Sequence, residues 1–249
     1  MRASWPRRPL STPHGYGHRM RVAALYDIHG NVPALESALA DVASAGVDAI
    51  LIGGDVAEGP QPMETLDLLE SIDIPLRWLR GNCDRKPSEW VTERLDEQRV
   101  AWLTMLPPTD RMNVSGLGPV LFCHGSPRSD EDIVTAVSDP DRVAPMLAGV
   151  DEAVVVSGHT HVQFDRSVAG HRLINAGSIG MPYQGVPGRA FWTILGPGVE
   201  PRNSAFDADA FATTLRSTGY PHPEWFEVET AEAAAEEYEE MARKQAADS

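Results

Sequence analysis

Four histidines, two aspartates and one asparagine carry the chemistry legible in this chain of 249 residues: Asp27, His29, Asp55, Asn82, His124, His159 and His161. Each lies in or beside a glycine-bearing turn: Asp27-Ile28-His29-Gly30, Gly53-Gly54-Asp55, Gly81-Asn82, His124-Gly125 and Gly158-His159-Thr160-His161. Imidazole, carboxylate and carboxamide without thiolate form a mixed N/O donor set, which suits Mn, Fe, Zn, Co or Ni. Seven donors are too many for one tetrahedral ion and fit two ions sharing a bridging carboxylate. A lone Asp-x-His or Gly-Asp arises by chance in many loops, and a lone histidine after a strand is more often structural. Four of the eight histidines placed at such turns make a metal site the stronger reading. His14, His18, His171 and His222 have no such placement and are left out of the set.

The elements that must position these turns follow from the apolar pattern. Five short apolar runs, at 21–26, 48–52, 75–79, 120–123 and 153–156, each run into one of the turns and read as buried strands. Helices are predicted from an Asn31 N-cap to Gly46, over 63–71, over 89–106 and over 141–147. The runs 163–168, 171–175 and 190–195, separated by Gly and Pro, read as antiparallel strands. In an open α/β sheet, ligands bind beyond the carboxyl ends of the strands, so the five turns are expected to converge at one sheet edge.

Composition sets the outer limits. The chain has 21 basic against 36 acidic residues, a formal net charge of −15. That balance argues against a protein that coats long nucleic acid, but a bound cation can reverse the local field for a small anionic substrate. Cys83 and Cys123 make no disulfide framework and suit the cytoplasm. No apolar run reaches the length of a membrane span. Residues 1–19, with four Arg, three Pro and no acid, read as a disordered extension. Residues 20–200 form the main domain. Residues 201–249 read as a helical extension packed on or capping it, a cover, lid or surface for self-association. Within that extension Glu239/Arg243 and Glu240/Lys244 have i,i+4 spacing, and Ala234, Tyr238 and Met241 are predicted to share a stripe.

The series Asp27-Ile28-His29, Gly54-Asp55, Gly81-Asn82-Cys83-Asp84, His124-Gly125 and Gly158-His159-Thr160-His161, in that order, resembles the calcineurin-like metallophosphoesterase superfamily over about residues 21–195. The segment Asn175-Ala176-Gly177-Ser178-Ile179-Gly180 resembles the N-P-G-S segment of its small bacterial phosphodiesterase branch, with Ala176 in place of proline. The resemblance implies an α/β four-layer sandwich, two mixed β-sheets flanked by helices. It implies two divalent transition-metal ions, manganese first, with Fe, Zn, Ni or Co as alternatives. Carried over by position, Asp27, His29 and His161 would hold one ion, Asn82, His124 and His159 the other, and Asp55 would bridge them. Such a pair lowers the pKa of a shared water, which attacks phosphorus in line, and clamps the phosphate oxygens. Catalytic roles then fall to Asn82 and Asp84, and substrate contacts to Arg85, Asn175 and Ser178.

One position departs from the family's commonest pattern. Many members carry histidine in the third motif to protonate the leaving group; here the residue is Cys83. The small bacterial phosphodiesterases share a non-histidine residue there, which implies action on activated aryl diesters. Protein Ser/Thr phosphatases and dinucleoside polyphosphate hydrolases are the alternative enzymes, and both branches usually carry the missing histidine. An interaction scaffold on the same fold is the non-enzyme alternative, and such scaffolds tend to lose ligands that are all present here. The expected partner is a small phosphorylated substrate, with neither long nucleic acid nor membrane.

Overall fold

A computed structural model describes residues 20–247 of the chain. The expectation of a disordered extension at 1–19 lies outside the described residues.

Two mixed five-stranded sheets lie face to face. The first has the order β10-β9-β1-β2-β3, with β1 (Val22–Leu25), β2 (Ala49–Ile52) and β3 (Leu76–Trp78) parallel, β9 (Arg189–Leu195) antiparallel to β1, and β10 (Val199–Ala205) antiparallel to β9. The second has the order β4-β5-β6-β8-β7. In it β5 (Gly118–Cys123), β6 (Val154–Ser157) and β8 (His171–Asn175) run parallel, and β4 (Thr109–Val114) and β7 (Phe164–Val168) are antiparallel edges.

Side chains alternate across each strand, so one apolar run serves two cores. Val22, Ala24 and Tyr26 meet Val120, Phe122, Val154 and Val156 between the sheets. Ala23 and Leu25 turn outward with Ile50 and Ile52, against Leu35, Ala38 and Val42 of α1 (Val32–Ser44) and Leu66 and Leu69 of α2 (Pro62–Glu70). Leu121, Cys123 and Val155 turn to the opposite outside, under α6 (Pro140–Val143) and the 3-10 turn Ala144–Leu147. Strands covered on both faces read as continuous apolar runs, which is why β1, β2, β5 and β6 are legible in the sequence, whereas β3 is a half-buried edge. The five turns lie on two sheets rather than one, β1 to β3 on the first and β5 and β6 on the second.

Helix boundaries follow local capping. Asn31 accepts from the Ala34 N–H, and Pro stands in the first turn of α1. Between these helices and β4 come α3 (Asn82–Arg85), α4 (Glu89–Arg94) and α5 (Glu97–Thr104). The single helix expected over 89–106 is therefore two, because the Asp96 side chain caps a new start by accepting from the Arg99 N–H. The helix expected over 141–147 is α6 followed by the 3-10 turn, since Pro145 has no N–H to continue the α-helical ladder. Beyond β10 the chain forms α7 (Ala208–Thr218), a short 3-10 turn and α8 (Ala231–Ala247). No helix among the described residues is long and apolar enough to cross a membrane.

Candidate metal centre

The turns after β1, β2, β3, β5 and β6 meet where the two sheets come together, and all seven sequence-predicted ligands gather there. Three overlapping groups have donor atoms within 4.8 Å of one another: Asp27, His29 and His161; Asp55, His124 and His159; and His29, Asp55 and Cys83. Asp55 belongs to two of them. Five of the seven stand in the left-handed backbone region: Asp27 (φ 52°), His29 (46°), Asp55 (52°), His159 (65°) and His161 (58°). Asp and His tolerate that region better than most residues, but each still carries a conformational cost. The glycines beside them make the close approaches. A Cβ on Gly54 would lie 2.4 Å from the Gly81 nitrogen, and one on Gly158 2.5 Å from Asp27 Oδ2.

Hydrogen bonds turn the donors inward. The Nδ1 of His29, His124 and His161 face the carbonyls of Glu58 (3.0 Å), Gly53 (2.9 Å) and Met181 (2.8 Å). A carbonyl only accepts, so each Nδ1 carries the proton and each Nε2 points its lone pair at the centre. The carboxylates are fixed the same way. Asp27 Oδ2 accepts from the His159 N–H (2.9 Å) and Asp55 Oδ1 from the Cys83 N–H (2.9 Å). Their other oxygens face the imidazoles. Asp27 Oδ1 is 3.4 Å from His161 Nε2 and 3.7 Å from His124 Nε2, and Asp55 Oδ2 is 3.3 Å from His124 Nε2. Asn82 Oδ1 lies 3.1 Å from the same His124 nitrogen.

This packing of acceptors against acceptors requires a positive charge. Asp27 Oδ1 and His29 Nε2 are buried without any hydrogen-bond partner. With only protons to supply charge, burial opposes ionising His124, yet the Asp55 and Asp27 carboxylates outweigh it and push its pKa up to about 10. Burial and then the His124 charge hold His159 down at about 4. Against burial, His124 and its neighbours keep Asp55 far below the usual carboxylate range. Buried, inward-facing Nε2 and carboxylate donors fit divalent ions of the borderline class.

The remaining predicted residues have other work. Asp84 accepts from the Asp55, Val56 and Gly81 N–H groups at 2.7, 3.0 and 3.0 Å, so it holds two ligand turns together rather than facing the centre. Arg85 pairs with Asp130 (2.9 Å) and Glu131 (2.5 Å). Asn175 and Ser178 are buried. Asn175 donates to the Gly158 carbonyl and Ser178 to the Asp27 carbonyl, so both brace turns of the centre.

Sequence reasoning missed three side chains at the site. Tyr183 stacks on His161 with centroids 4.9 Å apart. Tyr238 of α8 lies 6.3 Å from His159 and 6.5 Å from His161, and burial foremost holds its phenol protonated. Glu58 is buried and accepts from the Tyr220 hydroxyl at 3.0 Å. Glu58, three residues beyond Asp55, was findable by proximity. Nothing local to Tyr183 or Tyr238 marks them.

Two sheets converging on buried, inward-facing imidazoles and carboxylates define a fold built around a candidate metal centre. Residues 20–194 match the calcineurin-like phosphoesterase superfamily domain, and the chain belongs to that superfamily, a metallophosphoesterase that hydrolyses phosphoric esters. Among solved structures, a metallophosphoesterase from Sphaerobacter thermophilus is similar with a TM-score of 0.65 and 24% identity, over 84% of this chain and 97% of that one. Hypothetical protein PH1004 from Pyrococcus horikoshii OT3 gives a TM-score of 0.70 at 17% identity, over 83% and 96%. These two likenesses bear on fold. An uncharacterized protein of Methanocaldococcus jannaschii, MJ0912, is 27% identical over 197 residues, 66% of this chain and 78% of that protein.

Proposed function

We propose that the chain is a cytoplasmic dinuclear phosphodiesterase, with manganese the preferred ion, acting on small diesters with good leaving groups. The observation that carries the reading is the meeting of two donor groups at Asp55, which is within reach of His29 on one side and of His124 and His159 on the other. Asp27, His29 and His161 would hold one ion, and Asn82, His124 and His159 the other. When bound, the two ions supply a water activated at neutral pH and neutralise the charge on the transferring phosphoryl group. The chain's own part is orientation. Backbone carbonyls fix the imidazoles, backbone N–H groups fix the carboxylates, and the Asn82 carboxamide oxygen stands 3.1 Å from His124 Nε2, where it would join the second ion's donors.

Cys83 supports the preference among substrates. Its Sγ lies among His29 and Asp55, and burial first, then the Asp55 charge, keeps the thiol protonated and far above its ordinary pKa. A thiol so held is a poor proton donor, so the leaving group must depart as a stable anion. General acid assistance is typically worth about 10²–10⁴ in rate. Elemental analysis after manganese loading should give two ions per chain, and a reproducible value near zero would defeat the reading. A series of diesters graded by leaving-group pKa should show a steep dependence in the native protein. Cys83→His should flatten it by accelerating poor leaving groups alone. Alkyl monoesters turned over as fast as aryl diesters would contradict the preference.

A further inference from the structure

Helix α8 lies beyond the segment that matches the superfamily, yet it reaches the metal centre. Ala234, Tyr238 and Ala242 repeat at i, i+4 and i+8 and so share one face. The two alanines are 2% and 5% exposed, so the helix backbone sits close to the domain there. Tyr238 is the long side chain of that stripe, and it reaches His159 and His161 together. Tyr183, from the loop between β8 and β9, backs it at 6.4 Å and is tethered by its hydroxyl to the Trp225 carbonyl.

The helix cannot swing aside freely, because the next residue is its anchor. The Glu239 carboxylate accepts from the hydroxyls of Thr135 and Ser138 and pairs with Arg142 at 2.8 Å, all on the segment before β6. Centroid spacings of 6.3 and 6.5 Å are direct ring contact. A base-sized ring therefore cannot enter between Tyr238 and these imidazoles.

We propose that Tyr238, backed by Tyr183 and anchored through Glu239, is a specificity-determining wall that restricts the centre to phosphoesters whose non-leaving group is compact, and excludes nucleotide-sized groups. This rests on the phosphoesterase reading of the centre and narrows its substrate class.

The test uses the full chain loaded with Mn2+. The p-nitrophenyl esters of methyl phosphate and of thymidine 5′-phosphate share a leaving group and differ in the other arm. The native protein should favour the methyl ester in kcat/KM. Tyr238→Ala should shrink that preference tenfold or more, chiefly through KM, while Tyr238→Phe keeps it, since size and not the hydroxyl decides. Calorimetry gives a readout apart from turnover. Tyr238→Ala should bind thymidine 5′-phosphate about tenfold more tightly and inorganic phosphate unchanged. Glu239→Gln should raise amide exchange over 231–247 and shift both ratios the same way. An unchanged ester ratio or unchanged nucleotide affinity in folded Tyr238→Ala overturns the wall. If the ion-loaded native protein hydrolyses none of the esters, the phosphoesterase reading fails, and the calorimetric comparison still decides the wall.

Discussion

Asp55 and Asp84 are both buried carboxylates, and their oxygens do opposite things. Asp55 gives one oxygen to the Cys83 N–H and turns the other into the centre. Asp84 gives both of its oxygens to backbone N–H groups. Asp55→Asn removes a charge from the donor set, so it should cost ion affinity and turnover more than the about 10–100-fold typical of outer partners of a metal site. Asp84→Asn leaves the donors in place but sets an NH2 group against N–H donors, at about 1–3 kcal/mol. Its main effect should be a Tm lower by several degrees, with a smaller loss of rate. Turnover of Asp55→Asn comparable to the native protein would refute the contrast. The seven donors were legible because their types recur at the ends of apolar runs. The partners of Arg85, Asn175 and Ser178, namely Asp130, the Gly158 carbonyl and the Asp27 carbonyl, are distant in sequence and could not be read from it.

Helix α8 shows what can be read of an element and what cannot. Its Ala and Glu content and i,i+4 pairs announce a helix, and Lys244 does meet Glu240 at 2.7 Å. Its docking face is set by long-range contacts. The expected stripe ending in Met241 ends in Ala242 instead, with Met241 43% exposed. Glu239 also makes the contact sensitive to acid. Against burial, the hydroxyls of Ser138 and Thr135 and then Arg142 lower its pKa below the ordinary glutamate value. A lowered folded-state pKa means that the stabilisation is complete above the unfolded-state value and is lost as pH falls through the folded one. Amide exchange over 231–247, corrected for intrinsic rates, should therefore rise on acidification while β1 and β5 stay protected. In Glu239→Gln that acid step should vanish, and an acid step of equal size in the variant would contradict the anchor.

At the scale of the molecule, Tyr26 joins the two sheets. It follows β1, is fully buried between the sheets and donates its hydroxyl to the Val156 carbonyl of β6 at 3.2 Å. Gly53 faces its ring so closely that a Cβ would come within 2.1 Å. Gly53→Ala must push the ring into the core between the sheets or move a ligand turn. Overpacking of this kind costs about 1–3 kcal/mol or more, which for a domain of this size lowers Tm by roughly 3–10 °C. Thermal unfolding of the variant checks it, and an unchanged Tm would show that the contact is slack. Pairing between sheets was the least legible level of the fold. Runs covered on both faces look alike whichever sheet they join, and the edge strands β4 (TDRMNV) and β10 (VEPRNSA) are polar enough to pass for loops.

The five donors held at positive φ place selection for persistence and selection for turnover in opposition. Glycine adopts that backbone without a Cβ clash, so at positions 27, 29, 55, 159 and 161 the residue most comfortable in the turn is one that cannot hold an ion. Asp and His at all five places keep side chains that can reach an ion, at the expense of a more strained backbone.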